Sequence, residues 1–224
     1  ARCNRLGVKV VAGGPLVTME HEAFPGVDHF VLNEAEVTLS PFLQAQENGN
    51  PAHVYRCSDF PDLASTPIRR WDLLRMKDYA SMNIQYSRGC PHDCEFCSIT
   101  VLNGRRPRTK SRDQFINELE SMYLAGGRHR VFVVDDNFIG NRGKLKGEIL
   151  PAMIDWSKRR DYPFAFTTEV SVDIADDREL LELMVKAGFE TVFIGIETPS
   201  DDGLAECGKY KNRGRDLVET IRQI

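Results

Sequence analysis

From residue 83 onward the chain alternates short β-branched runs with helical patterns four times, and this constrains its fold more than any other feature. The runs Asn83 to Arg88, Arg130 to Asp135, Phe164 to Val170 and Thr191 to Ile196 read as strands. The helical patterns after them begin at Ser111, extend to about Arg160, begin at Asp176 and begin near Arg215. Parallel strands need long crossovers, so four strand–helix units in series predict a parallel sheet or barrel. Ser111 with Gln114 and Asp176 with Glu179 have capping-box spacing. Gly126-Gly127 and Gly188 sit where left-handed stop residues are wanted. Pro151 removes a backbone donor, predicting a kink or two shorter helices.

The first fifty residues read as the end of an open α/β sheet. A run from Val8 to Ala12 stops at Gly13-Gly14-Pro15, a second runs from His29 to Leu32, and a helix from Thr38 to about Asn48 closes at Asn48-Gly49-Asn50-Pro51. Residues 51–82 carry Pro51, Pro61 and Pro67 without a sustained period, predicting a surface linker that Trp71, Leu73 and Leu74 could anchor. Hydrophobic residues make up 42% and charged residues 28% of the 224, enough for a packed core. No apolar run approaches the ~20 residues of a membrane-spanning helix. The balance of 29 basic against 33 acidic residues gives −4, which leaves no general footprint for nucleic acid or anionic lipid. A start without methionine and an end in an open helical pattern are expected of a piece of a longer chain. Of six cysteines, Cys90, Cys94 and Cys97 crowd together while Cys3, Cys57 and Cys207 are scattered. That distribution predicts a metal or cluster site in a reducing, cytoplasmic compartment, not a disulfide framework.

Those three cysteines form a C-x3-C-x2-C run, Cys90-Pro91-His92-Asp93-Cys94-Glu95-Phe96-Cys97, immediately after the first strand of the series. Three thiolates on one loop can hold three irons of a cubane cluster and leave the fourth iron open. A zinc site borrowing His92 is the alternative. In parallel barrels reactive groups stand at the C-terminal strand ends, so the polar residues there are candidates. Asp135 and Asp136 end the second strand, Glu169 the third and Glu197 the fourth. Period-two alternation puts Asp135 on one face with Val131 and Val133 and Asp136 on the other, although either acid could instead cap the next helix. Arg105, Arg106 and Arg108 read as a solvated basic loop, and His21 and His29 as surface residues. Gly13 and Gly14 would let the backbone approach a bulky ligand such as a nucleotide or corrin.

The cysteine run, with Phe96 just before its third cysteine, resembles the signature of the radical S-adenosylmethionine (SAM) superfamily. The resemblance implies a (βα)6 barrel, of which residues 83–224 supply the first four units. It implies a 4Fe-4S cluster on Cys90, Cys94 and Cys97 whose open iron chelates the amino and carboxylate groups of SAM. One electron from the reduced cluster then cleaves SAM to methionine and a 5′-deoxyadenosyl radical, which abstracts a hydrogen atom. Phe96 resembles the adenine-contacting residue and Glu197 falls on the strand with a ribose role. Asp135 and Asp136 stand where the family binds the SAM ammonium, and Glu169 is a SAM or substrate contact or a structural acid. The Asp-Asp-Asn departure from the usual Gly-Gly-Glu-like motif resembles the cobalamin-associated branch.

Gly13 and Gly14, with Val31-Leu32-Asn33-Glu34-Ala35-Glu36 and the linker, resemble the C-terminal part of a Rossmann-like cobalamin-binding domain spanning residues 1–50, although Asn33 and Ala35 depart from the usual Gly-Glu-Gly-Glu-like pattern. The branch includes hopanoid and bacteriochlorophyll methylases, in which methylcobalamin supplies a methyl group to an unactivated carbon; relatives with the same domains catalyse cyclisation or rearrangement. The expected partners are a small, lipid- or tetrapyrrole-like substrate and an external one-electron reductant. The competing class is a non-catalytic iron–sulfur electron carrier, which needs a fourth thiol that Cys207 or Cys57 would have to provide.

Overall fold

The computed structural model describes residues 2–127 and 129–224. The chain divides between Thr66 and Pro67 into two compact units. No helix among the described residues is long and apolar enough to cross a membrane.

In the first unit β1 (Val11–Gly13), α1 (Pro15–Glu20), β2 (His29–Val31), α2 (Ala35–Glu47) and β3 (Val54–Tyr55) follow one another, and the three strands form a parallel sheet in the order β1-β2-β3. Its core is small: Phe30, Leu32, Phe42 and Leu63 are buried, and Phe42 of α2 meets Tyr55 of β3 edge-on at 5.5 Å. The predicted linker is corrected here. Residues 51–66 complete this sheet, with Phe30 N donating to His53 O at 2.7 Å and Leu32 N to Tyr55 O at 2.9 Å. A two-residue strand has no period to read, and its pairing is carried by the backbone. His29 is a second correction: it is buried, and its Nδ1 lies 2.7 Å from Ala52 O.

The second unit takes up the rest of the linker. Trp71 is buried in its core whereas Leu73 and Leu74 are exposed, so of the three the tryptophan anchors the segment. The chain continues through β4 (Met82–Ile84), β5 (Ser87–Arg88), α3 (Ile99–Asn103), β6 (Arg108–Thr109), α4 (Arg112–Leu124), β7 (His129–Val133), α5 (Leu150–Arg159), β8 (Phe164–Glu169), α6 (Arg178–Ala187), β9 (Phe189–Phe193), α7 (Asp201–Glu206) and α8 (Leu217–Gln223). Strands β4, β7, β8 and β9 form a parallel sheet in that order, as the serial units predict. The single strand predicted over 83–88 is two: β5 leaves the sheet and pairs antiparallel with β6.

Alternation along the strands sorts the two faces. Met82, Ile84, Val131, Val133, Phe164 and Phe166 are buried and pack against Leu119, Met153, Trp156 and Leu180 of the helices. Phe132, Val134, Thr167 and Glu169 point to the other face and are only half-buried. Ring contacts tie helix to sheet: Trp156 stacks on Phe164 at 5.4 Å and Phe166 lies 5.3 Å from Phe189.

Helix starts follow the predicted logic with local shifts. Ser111 caps α4, its hydroxyl accepting from Gln114 N at 3.2 Å. The cap of α6 is Asp177, not Asp176, because a 3-10 turn over Val172–Asp176 delays the helix by one residue. Asp176 instead pairs with Arg215 at 2.5 Å. Ahead of Pro151 lies a π-helical turn, Leu145–Ile149, so the proline falls in the first turn of α5, where its missing N–H costs little.

Because Phe166 is fully buried and bridges two strands and the helix layer, Phe166→Ala is expected to destabilise the fold by about 3–5 kcal/mol. Urea unfolding followed by far-UV circular dichroism measures this.

Candidate functional site

Pairing of Ser87 with Thr109 and Arg88 with Arg108 closes the neck of the loop that carries the three cysteines. Two adjacent carboxylates at the end of β7 grip the entry to this loop. Asp135 is buried on the helix-facing side, where it accepts from Tyr86 N and Ser87 N at 2.7 Å each and from Ser87 Oγ at 2.5 Å. Burial pushes its carboxyl up to about 7, against the pull of those donors toward the charged form. Asp136 points to the other face and accepts from Gly89 N at 3.2 Å and Asn103 Nδ2 at 3.1 Å. Gly89 has φ +96°, and a Cβ on it would lie 2.9 Å from Gly104 O, so glycine is required where the loop turns.

On the Asp136 face, the C-terminal strand ends and the loop enclose one cavity. Cys90, Cys94 and Cys97 open onto it together with Phe96, Asp136, Glu169 and Glu197. Burial raises the Cys90 and Cys94 thiols, and Lys211 opposes this. Burial, aided by Asp136, raises Glu169. Phe96 is 59% exposed at the cavity, so its ring is not packed into the core. Glu197 has φ +68°, an uncommon conformation for a residue with a side chain. Its carboxylate pairs with Lys209, whose ammonium also lies 5.5 Å from the centre of the Phe96 ring. A Cβ at Gly195 would stand 2.5 Å from Glu197 Oε1 and 2.7 Å from Lys209 Nζ, so this pair occupies the space that the glycine leaves.

The stretch Cys207–Asn212 straps the two sides of the cavity together. Cys207 O accepts from Glu95 N of the cysteine loop at 2.9 Å. Asn212, almost fully buried, donates to Gly195 O at 3.1 Å and Ile196 O at 3.2 Å. Asn137 of the Asp-Asp-Asn run also lines the cavity, as do Lys209 and Lys211 of the strap and Ser171, which were not singled out from the sequence. Two lysines beside Asn212-Arg213-Gly214-Arg215 look like a solvated basic stretch, and only the fold turns them inward.

Four of the five residues expected to contact SAM therefore meet in one cavity, and Asp135 does not. Its parity was legible in the alternation, but its role is to hold the loop entry. Cys207 is not part of the lining; its Sγ turns to Leu204 O at 3.6 Å, while Cys57 belongs to the first unit. Among the described residues no three His, Cys, Asp or Glu side chains converge as ligands of one ion do. A cubane requires no such convergence, since each thiolate binds a different iron. Arg105 pairs at the surface with Asp93 at 2.9 Å, as in a solvated basic loop, whereas Arg108 departs from that reading: it is half-buried in β6 and donates to Asn103 O at 3.2 Å. In the first unit a Cβ on Gly13 would lie 2.5 Å from Val31 O, so close strand approach requires glycine there. Gly14, at φ +95°, has open space beside it.

Comparison with known proteins agrees with this geometry. Residues 84–224 match the radical SAM superfamily. The chain is 45% identical, over 97% of its length, to an uncharacterised methyltransferase of Synechocystis, covering 41% of that protein. It is 35% identical, over its whole length, to the hopanoid C-2 methylase of Rhodopseudomonas palustris, covering 43% of it. The chain thus spans less than half the length of these curated relatives. Among solved structures, the radical SAM methyltransferase TsrM of Kitasatospora setae matches 98% of the chain with a TM-score of 0.77 and 17% identity, covering 47% of that protein, a likeness of fold.

The two aspartates should separate on substitution. Asp135→Asn turns an amide N–H toward a buried backbone donor and is expected to cost about 1–3 kcal/mol. Asp136→Asn, half-buried and still able to accept from Gly89 N, should cost less than about 1 kcal/mol. Paired urea titrations of the two variants check this.

Proposed function

Because the chain belongs to the radical SAM superfamily, we propose that its second unit binds a 4Fe-4S cluster and SAM, and that the protein is a cobalamin-dependent radical SAM methyltransferase acting on an unactivated carbon. The observation that carries this reading is the opening of three thiols from one loop onto the same cavity as Phe96, Asp136, Glu169 and Glu197. The donor set fits the cluster: three soft thiolates on one loop suit an iron–sulfur cubane and leave one iron for an exogenous ligand.

Cys90, Cys94 and Cys97 hold the cluster. Asp136, beside the cysteine loop, accepts from the SAM amino group. Phe96 offers its exposed face to the adenine ring. Glu197 accepts from the ribose hydroxyls, and its unusual backbone conformation and Lys209 hold the carboxylate at the cavity wall. Glu169, biased by burial toward its protonated form, contacts the deeper part of SAM or the substrate. A cluster held by Cys90, Cys94 and Cys97 would supply the electron for reductive cleavage of SAM, and Phe96, Asp136, Glu169 and Glu197 would hold SAM beside it.

For the first unit, the cobalamin reading is supported by its three-stranded parallel sheet, the open glycine Gly14 at a strand end, and kinship with a hopanoid methylase. TsrM, which shares the fold, has been solved with cobalamin and a 4Fe-4S cluster bound. A substrate of the hopanoid kind, a small apolar polycycle, follows from the same kinship. The barrel expected for the complete protein would place the strand ends around this substrate.

The test is anaerobic loading with iron and sulfide, reduction with dithionite, addition of SAM and quantification of 5′-deoxyadenosine. Wild type should form it. Cys94→Ala should lose more than about 100-fold, the upper range for loss of even a supporting group at a metal site. Cys207→Ala should stay within about twofold of wild type, since Cys207 lies outside the lining. A fully loaded cluster that yields no deoxyadenosine, or a cluster that needs Cys207, would favour the electron carrier.

A further inference from the structure

The strap carries two lysines to the cavity, and only one of them meets an anion. Lys209 is paired with Glu197. Lys211 is half-buried against the same cavity, yet among the described residues no carboxylate forms an ion pair with it. The carboxylate whose field reaches it, Asp173, is bound to Arg142 at 2.5 Å. The Lys211 carbonyl accepts from Arg215 Nε at 3.0 Å, which fixes the backbone beneath its side chain. The neighbouring strap residues Lys209 and Asn212 are almost fully buried, so Lys211 is set in an embedded segment, not on a free loop.

Taking an ammonium out of water without a counter-charge is costly, and such a group persists where an anion compensates it. The thiols of Cys90 and Cys94 line the same cavity as Lys211 and, once ionised, act on it more strongly than Asp173 does. Three thiolates outweigh the positive charge of an oxidised cubane core, and one-electron reduction deepens the net negative charge. A nearby cation therefore stabilises the reduced cluster more than the oxidised one.

We propose that Lys211 is the counter-cation of the cluster: it compensates the charge of the thiolate-bound cubane and eases the cluster's one-electron reduction. The proposal rests on the reading of the cavity as a cluster site. Lys209 contributes less, because Glu197 already balances it. The electron itself comes from an external one-electron reductant, and Lys211 forms and breaks no bond.

The test is an anaerobic redox titration of the cluster-loaded protein without SAM, following the EPR signal of the reduced cluster, with iron and sulfide counted in each sample. Wild type, Lys211→Met, Lys211→Gln and Lys211→Arg are compared. The expected result is a shift of the midpoint to more negative potential in the Met and Gln variants, with the Arg variant close to wild type. Loss of iron in both neutral variants that Arg restores is the same charge effect read as cluster affinity, and supports the proposal. Neutral variants with full iron content and an unmoved midpoint overturn it. If their midpoint is unmoved while equilibrium dialysis shows SAM binding weakened tenfold or more, the counter-anion is the SAM carboxylate and the proposal is likewise overturned. A wild-type protein that takes up no four-iron cluster removes the cluster reading itself, whereas a normal cluster indifferent to residue 211 removes only the role of the lysine.

Discussion

The cysteine loop is long, short of regular structure, and must hold three sulfurs in a fixed arrangement, so everything at this site depends on how its two ends are pinned. Asp135 pins the entry by collecting two backbone N–H groups and a hydroxyl in a dry environment. At the exit Lys110 N donates to Tyr86 O at 2.9 Å, and the Lys110 ammonium forms a buried ion pair with Glu118 of α4. Breaking either anchor would strand a buried polar group, which costs more than the intact contact gains. The loop is therefore organised from the helix-facing side of the sheet, while its thiols open on the other. Supporting contacts of this kind hold metal ligands in place before the metal arrives.

Much of this was legible in the chain because it follows from short-range rules. The C-x3-C-x2-C spacing, its position after a strand and the four strand–helix units identify the site and the layer that carries it. The parity of Asp135 and Asp136 was also readable, and parity is what assigns one to the scaffold and the other to the cavity. What could not be read is long-range. Residues 51–66 join a sheet through backbone pairing that two residues do not advertise, and Gly13 is required by a carbonyl on a strand 18 residues away, as its register with Val31 shows. Lys209 and Lys211 turn inward because the strap is stitched to the cysteine loop and to the end of β9, and no local pattern encodes that.

The strap also explains why the sequence pairs a glycine with a strained glutamate at the fourth strand end. In the proposed binding mode SAM spans the cavity from the cysteine loop to Glu197, so the separation between the two has to suit the cofactor. Glu95 N to Cys207 O fixes one end, and Asn212 to Gly195 O and Ile196 O fixes the other, with four residues between the two anchors. Gly195 leaves room for the Lys209–Glu197 pair, and the left-handed conformation at Glu197 sets the direction of its carboxylate. Such backbone strain persists only where surrounding contacts over-determine it, and here they come from both sides. Changes at Gly195, Glu197, Lys209 and Asn212 therefore act on one shared geometry, and their effects on the proposed SAM binding should be far from additive, because each loosens the same link between the cysteine loop and Glu197.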